Sequence, residues 1–211
     1  MYLPPHFSEA DRAALHALVA AHPLGALVTQ GPEGLDANHI PFLITPGKDG
    51  APDRLEAHLA RANPALAAIG AGAEVLVIFR AEQADVSPSW YPSPHEAHRQ
   101  VPTWNYRVVH AHGRAVLRDD ERFLRPLLAR LTRVHEAPLE KPWKMADAER
   151  SYLDARMKDI VGLEIVVTRL EGKSKLSQNK ERRDIEGAAR GLAEHGAPAL
   201  GAAMLAAAPE G

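Results

Sequence analysis

The sequence predicts an α+β fold that is mainly β: a small antiparallel β-barrel, closed or split, with helices on its outside. Several short apolar runs with strand character recur along the chain, and only short helical segments separate them. These elements do not alternate regularly, as they do in a doubly wound parallel sheet. Residues 105–117 also alternate cleanly, with small apolar side chains on one face, as the interior of a small barrel requires.

The composition fits one soluble domain. The chain has 211 residues, 45% of them hydrophobic, a formal charge of −2 and no cysteine. Disulfides, thiolate nucleophiles and cysteine-ligated metals are therefore excluded, and no overall positive charge favours nucleic acid. We expect a single domain over residues 1–195, a C-terminal tail over 196–211, no membrane segment and a cytoplasmic location.

The first third of the chain predicts a helix, a hairpin and a strand. Ser8 and Asp11 resemble a capping pair at the start of a helix that Pro23 ends. Strands follow at 24–29 and 37–45, and Pro41 is expected to interrupt the second or keep it at an edge.

A short helix between two strands is predicted next. A strand over 55–61 leads to Asn63, the expected cap of a helix that ends near residue 70, and 74–80 is the most strand-like run of the chain.

Residues 87–113 carry two of the three tryptophans and two of the four tyrosines, with prolines among them. Because each proline fixes φ, this loop is stiff, and such loops on rigid scaffolds often bind ligands. The alternative is a proline-stiffened loop that plugs the end of a core.

The strand at 105–117 places His110, His112 and Arg114 in a row on its outer face. Two histidines at this spacing suit a metal ion, but the sequence offers no third ligand nearby, so we predict no metal site.

The last third predicts helices over 119–136 and 146–158, with Pro126 kinking the first or delaying its start. A long strand follows at 160–170, then a polar stretch and a helix from 181 to about 195. The last ten residues are expected to be loosely held.

Two polar clusters suit an anion. Residues 58–64 combine His58, Arg61 and a helix start, and residues 173–180 combine lysines, hydroxyls and amides. Either cluster alone is more often a solvated surface. With the aromatic loop residues as planar surfaces, they suggest a phosphorylated planar cofactor.

Six motifs, in order, carry a family resemblance: MYLPPHF (1–7), HIPF (39–42), HLARANP (58–64), SPSWYPS (87–93), VPTWNY (101–106) and KLSQN (175–179). By these motifs the chain resembles the PaiB family. The resemblance implies an FMN-binding split β-barrel of the pyridoxamine-phosphate-oxidase type, forming a homodimer with flavin sites at the subunit interface. The cofactor-binding residues that it implies are His39, Pro41, Phe42, His58, Arg61, Asn63, Trp90, Thr103, Trp104, Asn105, Lys175, Ser177, Gln178 and Asn179.

Two positions depart from the family's pattern. Pro94 stands where a lysine is expected, which removes an anion contact, and Ser174 stands where an aromatic is expected, which exposes one face of a ring.

The resemblance implies an FMN-binding negative transcriptional regulator, with DNA or a regulatory protein as partner. No helix-turn-helix with a basic recognition helix supports direct DNA binding. An FMN-dependent oxidoreductase or flavin reductase acting on a small planar substrate is the alternative, and no catalytic residue is assigned. A haem-handling protein with His110 or His112 as axial ligand is a third.

Overall fold

The structure is a computed structural model that describes residues 1–70, 72–93 and 101–209. Its strands are β1 Ser8–Glu9, β2 Leu24–Gly31, β3 Gly34–Pro41, β4 Leu43–Thr45, β5 Arg54–Ala60, β6 Glu74–Val86, β7 Thr103–Arg118 and β8 Ile160–Lys175. They form one antiparallel sheet in the order β3-β2-β6-β7-β8-β5-β4, and β1 pairs with β8.

Within the described ranges there are six α-helices. They are α1 Arg12–Ala21, α2 Ala65–Ile69, α3 Glu121–Glu136, α4 Arg150–Met157, α5 Arg182–Glu194 and α6 Pro198–Ala206. Single 3-10 turns cover Pro5–Phe7, Pro88–Trp90 and Met145–Asp147. None of the helices that the structure describes has the length and apolarity to cross a bilayer.

The chain groups into two compact units. Unit 1 consists of Met1–Leu18, Phe79–His110 and Glu171–Gly211, and unit 2 consists of Val19–Ile78 and Ala111–Leu170. Whether residues 1–195 fold as a single domain stays a prediction.

Unit 1 has a core built around its two C-terminal helices. The buried members of this core are Val86, Tyr91, Leu176, Ile185, Ala188, Leu192, Leu200 and Met204. Helix α6 packs closely on α5, since a Cβ atom added at Gly201 would lie 2.8 Å from the Ala189 carbonyl oxygen. The expectation that the last ten residues are loosely held is therefore wrong for the part that lies in α6.

Unit 2 is organised by two antiparallel pairings. Strands β2 and β3 form a hairpin whose end pair is Gly31 and Gly34, and Gly34 has a φ of 109° that favours glycine. Strand β5 pairs with β8 over its whole length, which places Glu56 directly opposite Glu164. Both glutamates are buried, so arginines must neutralise them.

The burial pattern of β7 follows the predicted alternation over residues 109–116, whereas Val108, predicted on the outer face, is buried. Val109, Ala111 and Ala115 are fully buried, whereas Arg114 is exposed. Small inward side chains let other strands approach, because a Cβ atom at Gly113 would lie 2.6 Å from the Val166 carbonyl oxygen.

Pro41 interrupts the second hairpin strand, as predicted. Strand β3 ends there, and Phe42 donates its N–H to the Pro23 carbonyl oxygen at 2.9 Å before β4 begins. Two other predicted boundaries are wrong. The predicted helix over 146–158 begins only at Arg150. Strand β8 continues five residues beyond Leu170, into the polar stretch that was expected to follow the strand.

Helix starts follow local capping. Asp120 caps α3 by accepting from the Phe123 N–H at 2.9 Å, and Pro126 then lies inside the helix. At α1 the cap is Asp11, which accepts from the Ala13 N–H at 3.0 Å, whereas Ser8 is in β1. The predicted Ser8 cap is therefore wrong.

Candidate cofactor site

Lys175 is the last residue of β8 and belongs to the polar cluster of residues 173–180 in unit 1. Its Nζ donates to Thr103 Oγ1 at 2.5 Å and to the Trp104 carbonyl oxygen at 2.7 Å. Both partners are neutral, and Lys175 forms no ion pair with any carboxylate in the described ranges. Burial lowers the pKa of the Lys175 amine, and the charge of Lys173 adds to the lowering. The side chain is thus a half-buried cation without a counter-charge.

Lys173 lies two residues earlier on the same face of β8 and is almost fully buried. Its Nζ donates to the Tyr2 carbonyl oxygen at 3.1 Å and lies 5.5 Å and 5.4 Å from the ring centroids of Tyr2 and Tyr106. The two rings stabilise the cation by cation–π attraction. Lys173 therefore holds the N-terminal segment in place and adds positive potential beside Lys175.

Trp104 has an exposed aromatic ring, and its backbone carbonyl is one of the two partners of Lys175. Its side chain is 52% exposed, and its Nε1 donates to Gln83 Oε1 at 3.4 Å. Arg80 Nη2 donates to the same oxygen at 2.6 Å. The structure thus joins three predicted site residues, because Lys175 contacts the Thr103 hydroxyl and the backbone carbonyl of Trp104.

The turn after β8 is held by its own side chains. Gln178 Oε1 accepts from the Leu176 N–H at 2.8 Å, and its Nε2 donates to the Ser174 carbonyl oxygen at 2.6 Å. Ser177 has a φ of 65°, so this bracing stabilises a strained turn. Gln178 is engaged within the turn, whereas Asn179 is exposed.

Asn105 is fully buried beneath the same turn. Its Nδ2 donates to Ser177 Oγ at 2.9 Å and contacts Met204 Sδ at 3.4 Å. Its Oδ1 has no hydrogen-bond partner among the described residues. The structure therefore joins two more predicted site residues, Asn105 and Ser177, but by a buried hydrogen bond that supports the turn from β7.

Trp90 and Tyr91 are part of the packing of unit 1. Tyr91 is 2% exposed, and burial raises the pKa of its phenol. Trp90 lies on α5, where a Cβ atom at Gly191 would lie 2.5 Å from the Trp90 Cγ, and its ring centroid is 5.2 Å from that of His195. For these two residues the structure favours the loop as a core plug, and the role of Trp90 toward a cofactor stays a prediction.

A buried carboxylate anchors Ser93 of this loop. Asp184, which is 2% exposed, accepts from the Ser93 N–H at 3.1 Å and from Ser93 Oγ at 2.5 Å. The departure at Pro94 lies outside the described residues. Ser174, the other departure, is buried, so its side chain presents no ring-covering surface.

In unit 2 the predicted cation Arg61 forms four hydrogen bonds within the protein. Its guanidinium donates two hydrogen bonds to the carboxylate of Asp119, at 2.7 Å and 2.5 Å, and two more to the carbonyl oxygens of Lys158 and Ile160. The Asp119 hydrogen bonds raise the pKa of Arg61. This arrangement ties the end of β5 to the start of β8 and leaves little of the guanidinium for an anion.

The other predicted residues of unit 2 differ in exposure. Asn63 caps α2 through the Ala65 N–H at 2.9 Å, as predicted, and donates to Asn38 Oδ1 at 2.8 Å. Burial lowers the pKa of His58. His39 is exposed on β3, Pro41 ends that strand, and Phe42 is a core residue at 1% exposure.

Comparisons with known proteins find relatives over most of the chain. "Uncharacterized protein AN0679" of Emericella nidulans is 32% identical over 94% of this chain and 93% of its own length. "Protease synthase and sporulation protein PAI 2" of Bacillus subtilis is 29% identical over 87% of this chain and 85% of its own.

Solved structures share the fold at low identity. The hypothetical protein Rv2991 of Mycobacterium tuberculosis matches with a TM-score of 0.58 at 13% identity, over 83% of this chain and 91% of that one. The flavocytochrome Anf3 of Azotobacter vinelandii matches with a TM-score of 0.56 at 14% identity, over 80% of this chain and 69% of that one. The fold is the split barrel of pyridoxamine-phosphate-oxidase-like proteins, as predicted.

A family model described as "Putative FMN-binding domain" matches residues 1–169. The residues of this chain fit such a cofactor, because Lys175 supplies a cation with only neutral partners, and Trp104, whose backbone carbonyl Lys175 contacts, has an exposed ring. FMN, the predicted cofactor, is the one that the description of this family names. This chain therefore belongs to the family described as "Putative FMN-binding domain".

Proposed function

We propose that this protein is a flavoprotein that binds the phosphate of FMN with Lys175. The observation that carries the proposal is the Lys175 ammonium, a half-buried cation whose described partners are all neutral. A phosphate supplies the missing counter-charge and strong acceptor oxygens, and charge-assisted hydrogen bonds of this kind are worth about 1.5–3 kcal/mol.

The chain's own residues would position the cofactor, and FMN would supply the redox chemistry. Thr103 and the Trp104 carbonyl fix the direction in which the Lys175 amine points. The exposed Trp104 ring offers a planar surface, and Asn179 offers an exposed amide in the adjoining turn. Thr103, Trp104, Lys175 and Asn179 are thus the predicted residues that we assign to direct contact with FMN.

Two matched ligands test this assignment. FMN and riboflavin share the ring and differ by the phosphate, so Lys175→Met should weaken FMN binding about 10- to 100-fold and change riboflavin binding little. Lys175→Arg should retain part of the preference for FMN over riboflavin. Lys48→Met, at an exposed loop position, is the control. Equal affinity of Lys175→Met and the wild type for FMN would contradict the phosphate contact.

We propose further that the site is completed by a second copy of the chain. The family resemblance supports a homodimer with the flavin at the subunit interface. Sedimentation should therefore give a dimer, and FMN should lower the concentration at which the dimer dissociates. A monomer that binds FMN with full affinity would contradict this proposal.

For the biological role we propose negative regulation of transcription through a partner. The resemblance to the PaiB family supports regulation. Direct DNA binding has little support, because Arg182 and Arg183 at the start of α5 are paired with Glu186 and Glu181. Retention of specific DNA that falls steeply with salt would show instead that the protein binds DNA by itself.

A second candidate function is an FMN-dependent reductase of small planar substrates. It rests on the redox chemistry that FMN would supply when bound. The test is anaerobic addition of NADH or NADPH to the FMN-loaded protein. Loss of the visible flavin absorption bands supports the enzyme, and unchanged bands with both donors count against it.

A further inference from the structure

A cavity of about 420 Å³ lies in unit 2, between the C-terminal half of α3 and the segment that follows the helix. Small-molecule sites typically measure about 300–1,000 Å³, so the cavity accommodates a small ring system. None of its residues is among those predicted to bind FMN. The lining residues are Ala129, Thr132, Arg133, Glu136, Ala137, Pro142, Trp143, Lys144 and Met145.

The wall of the cavity is held in place without a ligand. Glu136 Oε2 accepts from the Trp143 N–H at 2.9 Å, which fixes the returning segment to the last turn of α3. The next residue, Lys144, donates its N–H to Asp147 Oδ2 at 2.8 Å at the start of a 3-10 turn. A site that is already formed loses less conformational entropy when a ligand binds.

The apolar part of the lining is centred on an aromatic side chain. Trp143 lines the cavity and is 42% exposed. Pro142, Met145 and two alanines complete the apolar surface. A planar aromatic ring in the cavity would remove this apolar area from water and stack on the indole.

The charged part of the lining is net positive. Arg133 and Lys144 form no ion pair among the residues that the structure describes. The carboxylate of Glu136 accepts a hydrogen bond from the Trp143 N–H. Helix α3 ends here, and its carbonyl groups favour cations, so an anion must reach Arg133 and Lys144 directly rather than the helix end.

We propose that this cavity is a second ligand site, for a planar aromatic ring that carries one anionic group. The ring contacts Trp143 and Met145, and the anion lies between Arg133 and Lys144. The cavity size excludes large ligands, and the unpaired cations select an anionic ligand over a neutral one of the same shape.

The test uses 2-naphthoate and its neutral amide, 2-naphthamide, as probes. Calorimetric titration of the FMN-saturated protein keeps the flavin site out of the measurement. The wild type should bind 2-naphthoate about tenfold more tightly than 2-naphthamide, because only the carboxylate forms charge-assisted hydrogen bonds.

Variants separate the two halves of the site. Arg133→Gln and Lys144→Gln should each bring the two probes toward equal affinity, whereas Trp143→Ala should weaken both probes about three- to tenfold. Ala129→Phe fills the cavity and should abolish binding of both while keeping the indole. Lys48→Gln, at an exposed loop position, should bind as the wild type does.

Four results would overturn the proposal. The first is no saturable binding of 2-naphthoate, and the second is equal affinity of the wild type for both probes. The third is binding that Ala129→Phe leaves intact. Loss of 2-naphthoate binding as the protein concentration rises would mean that a second copy of the chain covers the cavity, which also excludes the proposed ligand.

Discussion

The ion pair between Glu56 and Arg130 should make a measurable contribution to stability. Glu56 lies on β5 with only 10% of its side chain exposed, and Arg130 of α3 donates to both carboxylate oxygens, at 2.8 Å and 2.7 Å. The Cα partner of Glu56 on β8 is Glu164, which is also buried. Arg130→Met therefore leaves two carboxylates opposite each other with one fewer cation.

The size of the loss follows from burial. Removing one partner of a fully buried ion pair costs about 3–5 kcal/mol. Here 40% of the Arg130 side chain is exposed and Thr45 Oγ1 still donates to Glu56 at 3.0 Å, so we expect about 2–3 kcal/mol. Glu164 keeps Arg118 at 2.8 Å, so the loss stays local.

The pH dependence gives the sharper assay. Burial raises the pKa of Glu56, but Arg130, with Thr45 and Arg54, outweighs burial, so the net pKa lies below 4.5. The ion pair therefore stabilises the fold above about pH 4.5, and this stabilisation is lost as the pH falls further. The difference in unfolding free energy between wild type and Arg130→Met should therefore shrink as the pH falls below about 4.5.

Urea denaturation of four proteins measures the pair: the wild type, Arg130→Met, Glu56→Gln and the double variant. The double variant should be more stable than Arg130→Met, because the neutral amide that Glu56→Gln introduces leaves no charge unpaired. A cost under about 0.5 kcal/mol, or a cost independent of pH, would refute the reasoning, because it would place the ion pair among weak surface pairs.

Three further predictions concern single positions. Gly191→Ala should destabilise the fold by about 1–3 kcal/mol, because the added Cβ would meet the Trp90 Cγ at 2.5 Å; denaturant unfolding measures it. Burial lowers the pKa of His58, so its contribution to stability falls as pH drops below 6.5, and His58→Gln should lose less stability than the wild type between pH 7.5 and 5.5. Arg61→Gln should lower the thermal midpoint with little change in FMN affinity, since Asp119 and backbone carbonyls hold the guanidinium.

Elements set by local chemistry were predictable from the sequence. The Asn63 cap of α2 and the alternation of β7 are examples, because each depends on residues that are neighbours in the chain. The C-terminal extension of β8 was not. A Cβ at Gly172 would overlap the Leu15 side chain of α1 and lie 3.1 Å from the Glu9 Cβ, so distant segments enclose this polar stretch and make it a buried strand.

Contacts with a distant segment also explain why the predicted Ser8 cap is wrong. Ser8 fits the local pattern of a helix cap, but in the structure it lies in β1 and pairs with Lys173 of β8. Asp11, three residues later, caps the helix instead. The ion pair between Glu56 and Arg130 was equally out of reach, because 74 positions separate its partners. Charged residues in a strand pattern look solvated until the fold supplies their partners.

The predicted site residues divide by what their polar atoms contact. Arg61 and Gln178 are engaged by the protein itself and build the ends of β5 and β8. Lys175 and Trp104 keep a charge or a ring surface that the described residues do not neutralise or cover. A family motif records both kinds of residue without distinguishing them, so contacts are needed to tell which side chains meet the cofactor. On that criterion Lys175, and not Arg61, is the cation expected to bind the phosphate.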